Sequence, residues 1–257
     1  MRATFLTYII GQYETVKEIE TKTPDCDYVL VTDNKDLKSD TWRVVYVDNP
    51  YPDDPFWICY QIRFNPFKYV DTDIVVRIDG SMIPTGDFTY VLDYFEQGGY
   101  DRMLTHHPTR ENIYDEYAAW IQTRGYDQTQ AEKVLGFINN YEGYDVRQVR
   151  GLFQMNIEIV RNNKINNLCN AMTLNLLEYL AADGKEVERV DQTVFTFIVQ
   201  KYFNQMKILL QDQSIGLSGK YFKWCKHNSN EVMEDVVSQR CEPCLFNKPT
   251  TITYLGY

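Results

Sequence analysis

The run Asp73–Ile78 limits the fold more than any other stretch of the chain. Ile74-Val75-Val76-Arg77-Ile78 is almost wholly apolar and β-branched, and it stops at Asp79-Gly80-Ser81. A short apolar run bounded by turn residues reads as a strand, and its lack of alternation means that both faces are covered. Such a strand belongs in a mostly parallel sheet with helices on both sides. The rest of the sequence follows that pattern. Ala3–Ile10 is β-branched and aromatic and ends at Gly11, a first strand rather than a leader peptide. Tyr28–Thr32 and Trp42–Val47 read as the next two strands. Asp53–Val70 carries Trp57, Ile58, Ile62, Phe67 and Val70 at helical spacing, with Pro66 as a break. Gly86–Gln97 reads as a helix stopped by Gly98-Gly99.

Further on, Met103–His106 is a strand, Glu111–Arg124 and Thr129–Asn139 are helices, and Met155–Val160 is another apolar strand. Asn170–Ala182 and Thr193–Phe203 are helices, and Lys207–Leu210 is a short strand. The expected architecture is α/β, a mostly parallel sheet with helices on both faces. It has a helical insertion at about 107–150, a main unit over 1–210 and a C-terminal extension over 211–257.

The 257 residues carry 36 acidic and 26 basic side chains, a net charge of −10. That charge repels nucleic acid and anionic membranes at long range and argues against a general nucleic-acid binder. It leaves room for a phosphate held locally by a few cations and backbone amides. No stretch approaches the ~18 apolar residues of a transmembrane helix. The expected location is the cytoplasm, and in such a chain the six cysteines read as thiols or metal ligands rather than disulfides.

In an open α/β sheet, ligands bind beyond the carboxyl ends of the strands. The residues that follow the strands are Gly11-Gln12-Tyr13-Glu14, Asp33, Asp79-Gly80-Ser81 and Arg161. Asp79 is the most informative of these. A carboxylate directly after a buried strand is costly unless it holds a cation or a donor. Mg²⁺ or Mn²⁺ takes one or two carboxylates and completes its shell with phosphate oxygens and water, which suits a nucleoside diphosphate.

The order Tyr8-x-x-Gly11-x-Tyr13-Glu14, Pro24-Asp25-Cys26-Asp27-Tyr28-Val29-x-x-Thr32-Asp33, Trp42, then Asp73 to Ser81, resembles glycosyltransferases of the GT-A fold. It is most similar to a family once catalogued as a domain of unknown function and tied to polysaccharide synthesis in plants and bacteria. His107-Pro108-x-Arg110 before Tyr114-x-Glu116, Gly151-Leu152 before Asn156-Ile157 and Arg161, and Asp191-Gln192 continue the likeness, which spans about residues 4–205. It implies a Rossmann-type GT-A sheet. The loop Gly11–Glu14 (with Tyr8 before it) and Thr32-Asp33 would hold base and ribose. Asp79, with Gly80, would stand where the family's Asp-x-Asp motif meets metal and diphosphate. Ser81 replaces the second acid, and Phe67 stands where a His is usual. Arg63 would reach phosphate. His107, Arg110, Glu116, Arg161 and Gln192 would lie on the acceptor or phosphate side.

Asp191 reads either as a helix N-cap or as the carboxylate that takes the acceptor hydroxyl's proton, with Glu158 a poorer candidate inside a strand. Adjacent His106 and His107 on a strand point to opposite faces, so one metal does not suit both. Cys225, His227, Cys241 and Cys244 could form a tetrahedral zinc site. The likeness to GT-A enzymes offers His227 another role, returning on a closing loop to the diphosphate and metal. The function expected is transfer of a sugar from a nucleotide diphosphate, UDP before any other, to a hydroxyl acceptor in glycan or surface-polysaccharide assembly. The cofactor would be Mn²⁺ or Mg²⁺. The rivals are a non-catalytic, zinc-stapled glycan- or protein-binding module and a transferase acting on modified nucleic-acid bases.

Overall fold

The computed structural model describes residues 2–51, 55–107, 110, 112–124, 132, 133, 135, 136, 138, 140, 151–181, 191–211 and 220–232. The strands are β1 (Ala3–Ile9), β2 (Cys26–Thr32), β3 (Arg43–Tyr46), β4 (Ile74–Ile78), β5 (Met82–Pro84), β6 (Arg102–His106), β7 (Phe153–Arg161), β8 (Ile208–Gln211) and β9 (Phe222–Trp224). The helices are α1 (Pro55–Phe64), α2 (Thr89–Gln97), α3 (Ile113–Arg124), α4 (Lys164–Ala181) and α5 (Asp191–Lys201). Within the expected helix Thr129–Asn139, residues 132, 133, 135, 136 and 138 are helical, and the remaining positions lie outside the described residues.

Among the described residues, seven strands form one sheet in the order β3-β2-β1-β4-β7-β6-β8, and β5 pairs with β9 in a separate ribbon. Every neighbour in the seven-stranded sheet runs parallel except at β7, which is antiparallel to both β4 and β6. The architecture is α/β, a mostly parallel mixed sheet compatible with a Rossmann-like fold. All five residues of β4 are buried, as an apolar run without alternation requires.

The strands sort their side chains onto two faces by the twofold pleat. Leu6, Tyr8, Val31 and Val75 face Ile58 and Ile62 of α1. Leu104, Phe153 and Met155 face the same side, with residues of α1, α4 and α5. Phe5, Ile9, Val76, Ile78 and Ile157 face the other side, where α2 contributes Val91, Leu92 and Phe95 and the chain before β9 contributes Tyr221. Along β7 the alternation reverses between Met155 and Ile157, where the pairing with β6 shifts register. Phe222, the first residue of β9, lies in that second core, so the segment around it is built into the body of the molecule.

Two polar features lie inside this frame. Arg77 is 1% exposed in mid-β4 and donates to Glu158 Oε2 from Nε (3.1 Å) and Nη2 (3.0 Å). Arg102 lies 3.0 Å from Glu158 Oε1. Glu158 is thus a structural ion-pair partner between two arginines, away from the candidate chemistry. The second feature is the start of α4, which is earlier than its apolar spacing suggests. Asn163 Oδ1 caps it by accepting from Asn166 N at 3.0 Å, and Asn166 donates to the carbonyls of Asp101 and Arg161.

Among the described residues, no helix is long and apolar enough to cross a membrane.

Candidate active site

A cavity of about 520 Å³ opens at the carboxyl ends of β1 and β4, within the size range of small-molecule sites. Strand β1 and the turn after it give it Tyr8, Gly11 and Tyr13, and the end of β4 gives Asp79. Helix α1 gives Arg63, α3 gives Glu116, and the start of α5 gives Asp191 and Gln192. The residues after β9 give His227. Side chains separated by more than two hundred positions therefore share one wall.

The tip of β4 is built by its own turn residues. Asp79 Oδ1 accepts from Ser81 N at 3.0 Å and from Ser81 Oγ at 2.7 Å, an Asx turn that holds the carboxylate in one orientation. Ser81 is thus not a second acid but the residue that orients the first. No protein donor among the described residues meets Asp79 Oδ2. Gly80 allows the approach of β1: a Cβ there would sit 3.1 Å from the Tyr8 carbonyl and 3.0 Å from the Tyr13 hydroxyl.

Arg63 and Asp191 form an ion pair inside the cavity, at 15% and 11% side-chain exposure. The guanidinium also lies 5.7 Å from the centroid of the Tyr8 ring. Burial opposes its charge, but the surrounding Tyr8, Asp191 and Asp79 hold its pKa well above the ordinary arginine value. Asp191 is the first residue of α5, where a carboxylate is favoured by the helix dipole, and its Oδ2 is engaged by Arg63. Glu116 is 3% exposed and ion-paired to Arg110. Burial pushes the Cys59 thiol up to about 12, which keeps it protonated and unsuited to nucleophilic work.

Beside the Tyr13 turn, the carboxylate of Glu14 is completely buried and binds the C-terminal segment. Burial raises its pKa, but hydrogen bonds from Lys17, Thr15, His227 and Asn228 outweigh that and hold it below the usual range. The loop Gly11–Glu14, expected to hold base and ribose, divides its duties. Gly11 and Tyr13 line the cavity, and Glu14 anchors His227.

Several expected residues are placed elsewhere. Arg161, expected on the acceptor or phosphate side, is not brought to this cavity. The strand-end reading took β7 as parallel to its neighbours. The strand is antiparallel, so Arg161 pairs with Ile74 at the opposite edge, where its Nε donates to the Tyr100 carbonyl at 3.0 Å. The same reversal brings the start of β7 to the cavity, where Gln154 and Asn156 line it. Asn156 accepts Asp79 N at 2.8 Å through its backbone carbonyl.

Thr32 and Asp33 do not line the cavity. Asp33 accepts from Gly11 N at 3.0 Å and from Asn49 Nδ2 at 3.1 Å, which ties down the turn after β1. His107 does not line the cavity; burial, with the nearby Arg110 charge, lowers its pKa to about 4. Phe67 packs on the apolar core beside α1.

Of the zinc quartet, Cys241 and Cys244 lie outside the described residues. Cys225 is 1% exposed with its Sγ 3.9 Å from the Asn230 carbonyl, while His227 meets Glu14. Among the described residues, no group of three or more His, Cys, Asp or Glu side chains is placed to hold a metal ion. Asp79 and His227 line the same cavity, and a carboxylate with an imidazole is a donor set of the kind that divalent cations take when phosphate oxygens and water fill the remaining positions.

Phe56, Tyr60 and Gln154 line the cavity without having been singled out from the sequence, and Asn156, quoted there as part of the likeness, had no role assigned. Phe56, Tyr60 and Arg63 fall on one helical stripe, a signal that was present in the spacing. The pair on β7 gave no such signal, because strand direction is not written in a strand's residues.

No family model matches the chain, and no curated protein matches it.

Proposed function

We propose that the chain is a glycosyltransferase of GT-A type that moves a sugar from a nucleoside diphosphate, preferably UDP, to a hydroxyl acceptor of a glycan. The observation that carries this reading is Asp79. It is a carboxylate at the tip of a buried central strand, with one oxygen held by Ser81 and the other left to a cavity shared with Arg63, Asp191 and His227.

In this reading the base and ribose lie against Gly11 and Tyr13. Asp79 and His227 would hold a divalent cation, which when bound neutralises charge on the departing diphosphate. Arg63 adds a fixed positive charge to the same wall, and fixed charge in a shielded site is the main source of transition-state stabilisation. The acceptor oxygen forms its bond to the anomeric carbon as the bond from that carbon to the diphosphate oxygen breaks. The acceptor's proton passes to the carboxylate of Asp191, whose Oδ1 is not engaged by Arg63. Gln154, Asn156 and Gln192 supply amide groups suited to sugar hydroxyls on the acceptor side.

The test is calorimetric titration of UDP in the presence of Mn²⁺, with Asp79→Asn as the variant. That exchange keeps the shape of the side chain and removes its charge. Affinity is expected to fall by about tenfold or more, ~1.4 kcal/mol. Equal affinity in the two proteins, or no UDP binding to the unmodified chain, would refute the proposal.

A further inference from the structure

We propose that Glu14 is a positioning residue: its buried carboxylate fixes the imidazole of His227 as the Nδ1–H tautomer and so presents Nε2 to the cavity as a lone-pair acceptor. This rests on the reading of the cavity as a donor site and states how one of its side chains is set.

The argument begins with what surrounds Glu14. Its Oε1 accepts from Thr15 N at 2.8 Å, from Asn228 N at 2.8 Å and from Lys17 Nζ at 3.0 Å. Its Oε2 lies 3.0 Å from His227 Nδ1. A side chain met by that many donors is an ionised carboxylate, and a carboxylate cannot donate. The proton on the Glu14–His227 line therefore belongs to Nδ1. In the neutral ring, Nε2 is then left without a proton.

The turn after β9 is held firmly enough for this to matter. Lys17 is 1% exposed at its side chain and donates to the Ser229 carbonyl at 2.6 Å and to Thr15 Oγ1 at 2.8 Å. Glu14 and Lys17 thus grip three consecutive residues: the ring of His227, the N–H of Asn228 and the carbonyl of Ser229. Asn228 adopts φ +54°, a left-handed conformation that Asn tolerates better than most residues. The ring itself is 68% exposed and its one ring contact among the described residues is a tilted one with Tyr13 at 6.3 Å between centroids, so the hydrogen bond to Glu14 is the directional restraint on it. Nε2 has no partner among the described residues, and His227 lines the same cavity as Asp79. Carboxylates that hold the far nitrogen of a histidine set its orientation and basicity toward a cation in this way.

The decisive variant is Glu14→Gln. The amide oxygen can serve only one side, and three donors crowd the Oε1 side. The oxygen stays there, the anchor to Asn228 survives, and the NH₂ group turns to His227 Nδ1. That nitrogen must then accept, so the ring proton moves to Nε2.

Nitrogen-15 NMR of the imidazoles reads this directly, because the chain has 3 histidines and His106→Gln and His107→Gln variants assign the other two. At a pH about two units above the ordinary imidazole pKa, the unmodified protein should show the Nδ1–H tautomer at His227 and Glu14→Gln the Nε2–H tautomer. Mn²⁺ alone should broaden the His227 signals of the unmodified protein, and about tenfold or more of the ion should be needed in Glu14→Gln. An Nε2–H tautomer in the unmodified protein overturns the proposal. So does an unchanged tautomer in the variant, or equal broadening in both. Should Glu14→Gln fail to fold, the tautomer of the unmodified protein decides alone. No sugar nucleotide enters the experiment, so its failure leaves the transferase reading standing, and its success does not depend on turnover.

Discussion

At the scale of single residues, the pair Arg63–Asp191 joins stability to chemistry. Both side chains are mostly withdrawn from water, and Arg63 Nε has no hydrogen-bond partner among the described residues. The pair is therefore sensitive to loss of one member. Asp191→Ala leaves a buried guanidinium uncompensated and is expected to destabilise the fold by about 3 kcal/mol. The double variant Arg63→Met/Asp191→Ala removes both charges and should recover most of that loss. Urea unfolding of the two single variants and the double variant completes the cycle, and additive losses would show that the two do not act as a pair. The same logic separates Glu158 from the site. Its carboxylate is committed to Arg77 and Arg102, so its substitution should lower stability first and turnover only through the fold.

At the scale of elements, β9 decides whether His227 reaches the cavity. It pairs antiparallel with β5, the strand that follows the Asp79 turn, and Cys225 N donates to the Ser81 carbonyl at 2.9 Å. The tip of β4 and the C-terminal segment are thus one unit. Gly86 permits the approach, since a Cβ there would lie 2.7 Å from the Lys220 carbonyl. Phe222 is 1% exposed and packs against Phe88 at 5.5 Å between ring centroids. Truncating it to Ala should cost about 3–5 kcal/mol in the unfolding midpoint analysis. A loss near zero would mean that β9 is a surface attachment.

At the scale of the whole molecule, the shifted groups predict a sensitivity to acid that starts near neutrality. Burial, with Arg110 nearby, lowers the His107 pKa to about 4. The unfolded chain therefore binds a proton at this residue that the folded chain refuses between about pH 6.5 and 4, and stability falls as pH falls through that window. Glu14, Glu18 and Asp27 have carboxyl pKa values held below the ordinary range by hydrogen bonds that outweigh burial. Their contribution is present above the ordinary carboxyl pKa and is lost below it, so acid continues the decline. His107→Gln should flatten the upper part of the curve and leave the lower part unchanged. A urea midpoint that is constant from pH 7 to 5 in the unmodified protein would contradict this.

The sequence by itself determined the elements and much of one edge of the site. Ile74–Ile78 could only be a covered strand, because nothing polar but Arg77 interrupts it, and the turn Asp79-Gly80-Ser81 had to follow at its rim. Local chemistry is legible in sequence because a strand's burial and a turn's residues depend on neighbours a few positions away. Tertiary structure alone decided the direction of β7, which sent Arg161 to the far edge and brought Asn156 to Asp79. It also decided that Glu14 and Lys17 hold a segment more than two hundred residues downstream. Strand direction and long-range pairing follow from how the whole sheet closes its backbone hydrogen bonds and its two cores, and no window of residues contains that information.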